Sequence, residues 1–291
     1  MEHRALGRSG VDVSRIILGC GNFGGIGSAP EFFGQGETRD EAFAIMDAAW
    51  EAGIRWFDTA DAYGGGRSET WIGAWIASRG VRPRLTTKTF NPTGADDPGG
   101  LAPERVRRQL AASLERLGVD RVDVYLLHDF DPAVPAAESL DAIEHAHEVG
   151  VSNFTAAQLA PVADRVQWIQ NSYSLLDRGD EESVLPLARA NGIGYQAFGP
   201  LAGGWLTGKY ERGAPFPAGS RMTLRPGPYE RYVADDVYDL LDDLRAQAAG
   251  RGVSMAALAL AWALERVDSV VIGPRRPEHL APALEALTIA R

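Results

Sequence analysis

Cysteine is nearly missing from this 291-residue chain: Cys20 is the only one. No intrachain disulfide can form, and the paired-cysteine motifs of zinc and redox sites are excluded. That usage fits a reducing compartment, so the expected location is cytoplasmic. Blocks of lysine or arginine are missing as well, and the formal net charge is −10. The electrostatic footprint of a nucleic-acid or anionic-membrane binder is therefore not there, and any anionic ligand must be held by a local cluster of cations. Long apolar runs are also lacking. The opening MEHRALGRSG has no apolar core of the signal-peptide kind. The most apolar segment, MAALALAWAL from Met255 to Leu264, is far shorter than the roughly 20 residues a membrane span needs. With Ser254 placed to cap it, this segment reads as a buried helix.

What is present is the composition of an ordinary globular protein, 45% hydrophobic and 23% charged, in a chain long enough to bury a large core. Its length admits two small domains but is also common for a single (β/α) barrel. No low-complexity linker divides it, which favours one domain over residues 1–291.

Short β-rich runs alternate with stretches of helical period, the order of βαβ units and a parallel sheet. Strands are expected at 16–19, 54–58, 84–89, 122–128, 149–153, 166–170, 193–198 and 269–273. Helices are expected near 40–52, 67–78, 103–117, 136–148, 155–163, 181–191, 236–249, 254–266 and 277–286. Eight such repeats predict a closed (β/α)8 TIM barrel of the α/β class. RALGRSGVDVSR reads as an N-terminal β-hairpin around Ser9 and Gly10 that caps the lower end. A long connection follows the seventh strand, from Gly199 to Asp236; it is either a surface excursion or a lid, with Trp205 and the segment to Tyr232 lining a pocket. Trp56, Trp71 and Trp75 read as packing residues.

GCGNFG, Gly19 to Gly24, matches GxGxxG after a strand, but helical period begins only near Thr38, so the dinucleotide fingerprint lacks its helix. It reads instead as a flexible first loop at the barrel mouth, where Asn22 and Phe23 either touch a ligand or form a plain turn.

Active sites of such barrels lie at the carboxyl ends of the strands. There the second strand ends at Asp58 with Tyr63 in its loop, the third nearly ends with Lys88, and the fourth ends with His128. Singly, each has a dull explanation as a turn cap, a snorkelling lysine, a packed ring or a core histidine. Jointly they make a proton-transfer unit: a phenol of ordinary pKa about 10, a cation to ease its ionisation, a carboxylate to keep that cation charged, and an imidazole to orient a carbonyl. A different reading makes Lys88 a Schiff-base nucleophile in an aldolase-like barrel.

At these residues the chain resembles the aldo-keto reductases, nicotinamide-dependent barrel enzymes. FDTADAYGGGRSE, TTKT, VDVYLLH, GVSNF, IQNSYSLLDR and GPLAGGWLTGKY occur in family order, and the resemblance runs nearly the whole chain. It implies Tyr63 as general acid for carbonyl reduction, with Asp58, Lys88 and His128 completing a tetrad. It also implies Ser152, Asn153 and Gln170 at the nicotinamide carboxamide, Phe198 stacked on the ring in place of the usual tyrosine, and Gly199, Pro200 and Leu201 along the pyrophosphate. In GPRRPEHL it places Gly273, Arg275 and Arg276 at a 2′-phosphate and Glu278 near the adenine, hence NADPH, although the lysine many members carry at the Gly273 position is not there. The implied partner is a small-molecule carbonyl substrate; no metal, nucleic acid or membrane is expected. A regulatory barrel that binds NADPH with little turnover is the alternative. The chain also departs from the family between DAIEHAHE and VGVSNF, where residues are missing. The fifth strand is then either short or shifted, or the end of the fourth helix unwinds to supply the missing length.

Overall fold

Eight parallel strands close into a barrel in the computed structural model, which describes residues 1–290. The chain runs through β1 (His3–Ala5), β2 (Asp12–Ser14), β3 (Ile16–Gly19), α1 (Arg39–Glu51), β4 (Trp56–Asp58), α2 (Arg67–Arg79), β5 (Arg84–Thr89) and α3 (Pro103–Leu117). It continues through β6 (Val122–Leu127), α4 (Ala136–Asp141), β7 (Ala146–Ser152), α5 (Ala156–Leu159), β8 (Trp168–Ser172), α6 (Val184–Ala190) and β9 (Gly194–Phe198). The last part holds α7 (Arg221–Leu224), α8 (Asp235–Arg251), α9 (Met255–Leu264), β10 (Ser269–Ile272) and α10 (Ala281–Ile289). Around the barrel the order is β10, β3, β4, β5, β6, β7, β8, β9, with β9 pairing back to β10. The antiparallel pair β1–β2 is the expected hairpin.

Strand parity decides what each residue faces, because successive side chains point to opposite faces. Ile17, Trp56, Val124, Leu126, Trp168 and Val271 pack inside the barrel, joined by Leu6 and Val13 of the hairpin. Their neighbours Ile16, Leu18, Phe57, Tyr125, Leu127 and Ile169 face the helices in the larger outer core. The lower interior is filled by Trp56 and Trp168, whose rings lie 5.2 Å apart. Glycine at 150 permits this, since a Cβ there would sit 2.3 Å from the Trp168 carbonyl oxygen. Gly194 plays the same part below, where Leu6 comes within 2.3 Å of the missing Cβ and plugs the end.

The largest departure from the expected elements lies after β6. The helix expected over 136–148 ends at Asp141, His145 takes a left-handed φ of 57°, and β7 starts at Ala146, pairing with Val122. Six helical residues rise only about 9 Å. A longer helix would leave too little chain to pair β7 with both neighbours, so the helix end has unwound into strand, the second of the two outcomes the missing residues allowed. The expected 155–163 helix is likewise cut to α5 plus a 3-10 turn, Ala160–Val162. Ser254 does cap α9, accepting from the Ala257 N–H at 3.1 Å.

The connection after β9 is a folded strap. Trp205 is fully buried, with Tyr210, Phe216, Tyr232 and Tyr238 around it at ring separations of 4.7, 6.2, 6.0 and 5.7 Å. Trp205 thus anchors the strap and does not line a pocket. The strap reaches the first loop, where Arg225 Nη1 donates to the Ile26 carbonyl at 3.2 Å. Among the described residues no helix is long and apolar enough to cross a membrane.

Candidate active site

Asp58 ends β4, Lys88 is the penultimate residue of β5, and His128 directly follows β6. The register pairs Asp58 with Thr86, which carries Lys88 one interior step beyond Asp58. Lys88 Nζ then donates to Asp58 Oδ1 at 2.5 Å and to the Thr59 carbonyl at 2.8 Å. Tyr63 is brought back over these strand ends by the three glycines that follow it, all left-handed at φ 59°, 67° and 87°. A side chain is excluded at Gly64, where a Cβ would lie 2.7 Å from the Phe23 carbonyl oxygen. The Tyr63 hydroxyl comes to 3.5 Å from His128 Nε2, and Lys88 Nζ lies 5.2 Å from the Tyr63 ring centre. All four side chains suggested by the sequence therefore meet.

The electrostatics differ in one respect from the sequence argument. Burial lifts the Tyr63 phenol above its ordinary value; Lys88 works in the opposite direction but does not prevail. The phenol therefore holds its proton at neutral pH, as a proton donor must. Burial also opposes the Lys88 charge, but Asp58 and Tyr63 outweigh it and the ammonium ends above its usual range. A charged amine has no lone pair for a Schiff base, which counts against the nucleophile reading. Burial, with Lys88 second, holds His128 well below the ordinary imidazole value, so it is neutral.

The other expected residues are spread around the mouth. Ser152 pairs with Gln170 in the β7–β8 register, so the shortened connection leaves it at its strand end. Its Oγ donates to the Gln170 carbonyl at 2.7 Å, and Asn153, at a left-handed φ of 59°, donates from Nδ2 to the His128 carbonyl at 2.8 Å. Gln170 Nε2 is spent on Asp58 and Gln196, which leaves the amide oxygens of Gln170 and Asn153 as the natural acceptors for a carboxamide. Phe198 ends β9 half-buried; beyond it Gly199 has φ 62°, and a Cβ there would meet only Ser172 Oγ, at 3.9 Å. Pro200 is buried and Leu201 half-buried. Gly273 is equally open, with Asn22 Nδ2 the nearest atom to a Cβ at 3.8 Å.

The first loop is not loose: Gly24 N–H donates to the Glu37 carbonyl at 3.0 Å, and Gly34 N–H to the Gly24 carbonyl at 2.8 Å. Phe23 is fully buried in the outer core, so its side chain does not face the mouth. Asn22 accepts a hydrogen bond from Arg221. Arg275 is gripped by the buried Glu37 at 2.7 Å and donates to the Gly219 carbonyl at 2.8 Å. Arg276 and Glu278 pair with each other at 3.0 Å and are exposed.

Sequence reasoning missed Glu37, Gln196, Lys209 and Arg221. Burial, followed by nearby arginines including Arg275, lowers Arg221, and burial followed by Arg221 and Arg275 lowers Lys209. Cations crowded together in a chain of net charge −10 are the arrangement an anion relieves. Their signal in the sequence was the pairing of lysine and arginine with glycines inside the long connection. With Gly199 and Gly273 open to a close approach and hydroxyl and amide groups at the strand ends, the donor set fits a nicotinamide dinucleotide.

A sequence profile described as the aldo/keto reductase family matches residues 15–290. The chain is 35% identical to the uncharacterized oxidoreductase YrpG of Bacillus subtilis (strain 168), over all of this chain and 92% of that protein. That alignment spans 322 positions, more than this chain's length, so the relative carries residues that are missing here. A probable voltage-gated potassium channel subunit beta from Oryza sativa subsp. japonica is 33% identical over 99% of this chain and 92% of its own. Among solved structures, the glycerol dehydrogenase AKR11B4 from Gluconobacter oxydans superposes with a TM-score of 0.80 at 27% identity, covering 98% of this chain and 89% of that one.

Proposed function

The chain belongs to the aldo/keto reductase family, oxidoreductases that work with nicotinamide nucleotides, and from that membership we propose that it reduces an aldehyde or ketone to the alcohol with NADPH. The bound cofactor would supply hydride to the carbonyl carbon. Tyr63 gives its proton to the carbonyl oxygen, and Lys88, charged and held by Asp58, stabilises the phenolate left behind. His128, neutral beside the Tyr63 hydroxyl, orients the carbonyl oxygen by hydrogen bonding. Ser152, Asn153 and Gln170 would hold the carboxamide, Phe198 would cover the ring, and Gly199, Pro200 and Leu201 would lie along the pyrophosphate with Lys209 and Arg221. Arg275 and Arg276, just beyond Gly273 in the chain, would take the 2′-phosphate, and Glu278 would approach the adenine.

The observation that carries this reading is the Tyr63 hydroxyl at 3.5 Å from a neutral His128 and beside a fully buried Lys88–Asp58 pair. Tyr63→Phe tests it: cofactor quenching of protein fluorescence should persist while NADPH oxidation by a panel of aldehydes, ketones, quinones and sugars is lost. Undiminished turnover would remove Tyr63 from the reaction. Similarity to potassium channel beta subunits favours one second reading, an NADPH-binding barrel of regulatory use. Tight NADPH binding with no oxidation across the same panel would select it.

A further inference from the structure

Behind the wall formed by β5 and β6, on the side facing α2 and α3, lies a second buried polar cluster that the reaction above does not use. Asp61, two residues before Tyr63, is fully buried. Its Oδ2 accepts from Thr89 Oγ1 at 2.6 Å, and its backbone N–H donates to the Lys88 carbonyl at 3.0 Å. One residue thus fastens the turn that carries Tyr63 to the strand that carries Lys88 at two points. Thr89 Oγ1 in turn accepts from Arg105 Nη1 at 2.9 Å.

The groups facing Asp61 come from every element around it: Thr89 on β5, Tyr125 on β6, Glu69 on α2, and Arg105 and Arg116 on α3. Both arginines answer to other carboxylates, Arg105 to Asp97 at 2.6 Å and Arg116 to Glu69 at 2.7 Å. Among the described residues Asp61 Oδ1 has no hydrogen-bond partner though it is buried, and neither has the Tyr125 hydroxyl. A carboxylate in that position is short of donors and of counter-charge, and burying an unpaired charge costs more than burying an uncharged carboxyl. Burial, the largest influence, accordingly pushes Asp61 up to about 7.

We propose that Asp61 is a positioning residue that carries a proton while the Tyr63 turn is seated on Thr89 and Lys88, and that its ionisation, which leaves Oδ1 a buried charge without a partner, draws the turn toward water against the pull of the Thr89 bond and slows turnover. The kinetic part rests on Tyr63 being the acid; the titration of Asp61 does not. Asp61→Asn keeps an acceptor for Thr89, offers an N–H where the acid has its O–H, and cannot ionise.

The test measures kcat at saturating NADPH and aldehyde from about pH 6 to 9 for wild type, Asp61→Asn and Thr89→Val. Wild type should fall roughly fivefold to tenfold through a step near neutrality, modest against the hundredfold of a 1 Å misplacement. Asp61→Asn should keep the acid-side kcat, lack the step and leave the cofactor Kd unchanged. Thr89→Val, which removes the bond favouring the carboxylate, should move the step to higher pH. A step retained in Asp61→Asn, or unmoved in Thr89→Val, overturns the proposal. Infrared difference spectra of the wild type and Thr89→Val across the same range read the carboxyl without turnover, so they remain informative if no carbonyl is reduced. No protonated carboxyl at the acid end of that range would likewise overturn it.

Discussion

Gln170 reaches across the barrel to Asp58: its Nε2 donates to Asp58 Oδ2 at 2.7 Å and to Gln196 Oε1 at 3.0 Å. The two residues sit on β8 and β4, four strands apart in a closed ring of eight, so the bridge crosses the interior. It lies above the layer of Trp56 and Trp168 and completes the set of bonds that aims Asp58 at Lys88.

Gln170→Leu should therefore leave Asp58 Oδ2 buried with a bond unmade, at a cost of about 1–3 kcal/mol. Urea unfolding would report the loss as a lower midpoint with an unchanged slope. In the proposed reaction kcat should fall as well. Retained stability would mean that Asp58 is held without this bridge.

The Lys88–Asp58 pair is nearly free of solvent, with side-chain exposures of 0% and 4%. Removing one partner leaves a buried charge alone, which costs about 3–5 kcal/mol. Lys88→Met and Asp58→Asn should each destabilise by that order, while the double variant should lose much less than the two losses added. A double-mutant cycle from denaturant melts measures the difference; additive losses would show that the two groups do not depend on each other.

Arg275 donates to buried Glu37 and to the Gly219 carbonyl, and in the proposed function it meets a 2′-phosphate. Arg275→Ala should raise the Kd for NADPH by roughly tenfold or more, since a hydrogen bond to a charged group contributes about 1.5–3 kcal/mol. Binding of NADH, which has no 2′-phosphate, should change little. Fluorescence titrations with both nucleotides decide it, and an equal loss for the two would move Arg275 away from that phosphate.

Two carboxyls, half-buried Asp97 and buried Asp61, give opposite pH dependence to stability. Arg105, through its hydrogen bonds, holds Asp97 far below the ordinary carboxylate range. Its contribution is present above the unfolded value of about 4 and is lost as pH falls below it. Asp61 is raised to about 7, so the folded chain binds a proton that the unfolded chain has released, and stability erodes as pH rises from about 4 to 7. Asp97→Asn should thus melt lower than wild type at neutral pH and approach it in acid. Asp61→Asn should gain on wild type as pH rises through that window. Differential scanning fluorimetry between about pH 3 and 8 checks both signs.

Sequence period and residue chemistry were enough to determined order: eight βα repeats, the hairpin below, and Asp58, Tyr63, Lys88 and His128 at neighbouring strand ends. These follow from alternation within a strand and from where a barrel opens, both of which are local rules. Only the tertiary structure decided the rest, because the rest depends on closure. The length of α4 had to give way to the pairing of β7 with β6, which no helical pattern in 136–148 records. Phe23 and Trp205 turned inward because apolar area near them was available for burial, and the sequence around each reads equally well as a mouth-lining loop. The reach of Gln170 to Asp58 and the isolation of Asp61 depend on partners far along the chain, and distance through a folded interior is not written in spacing.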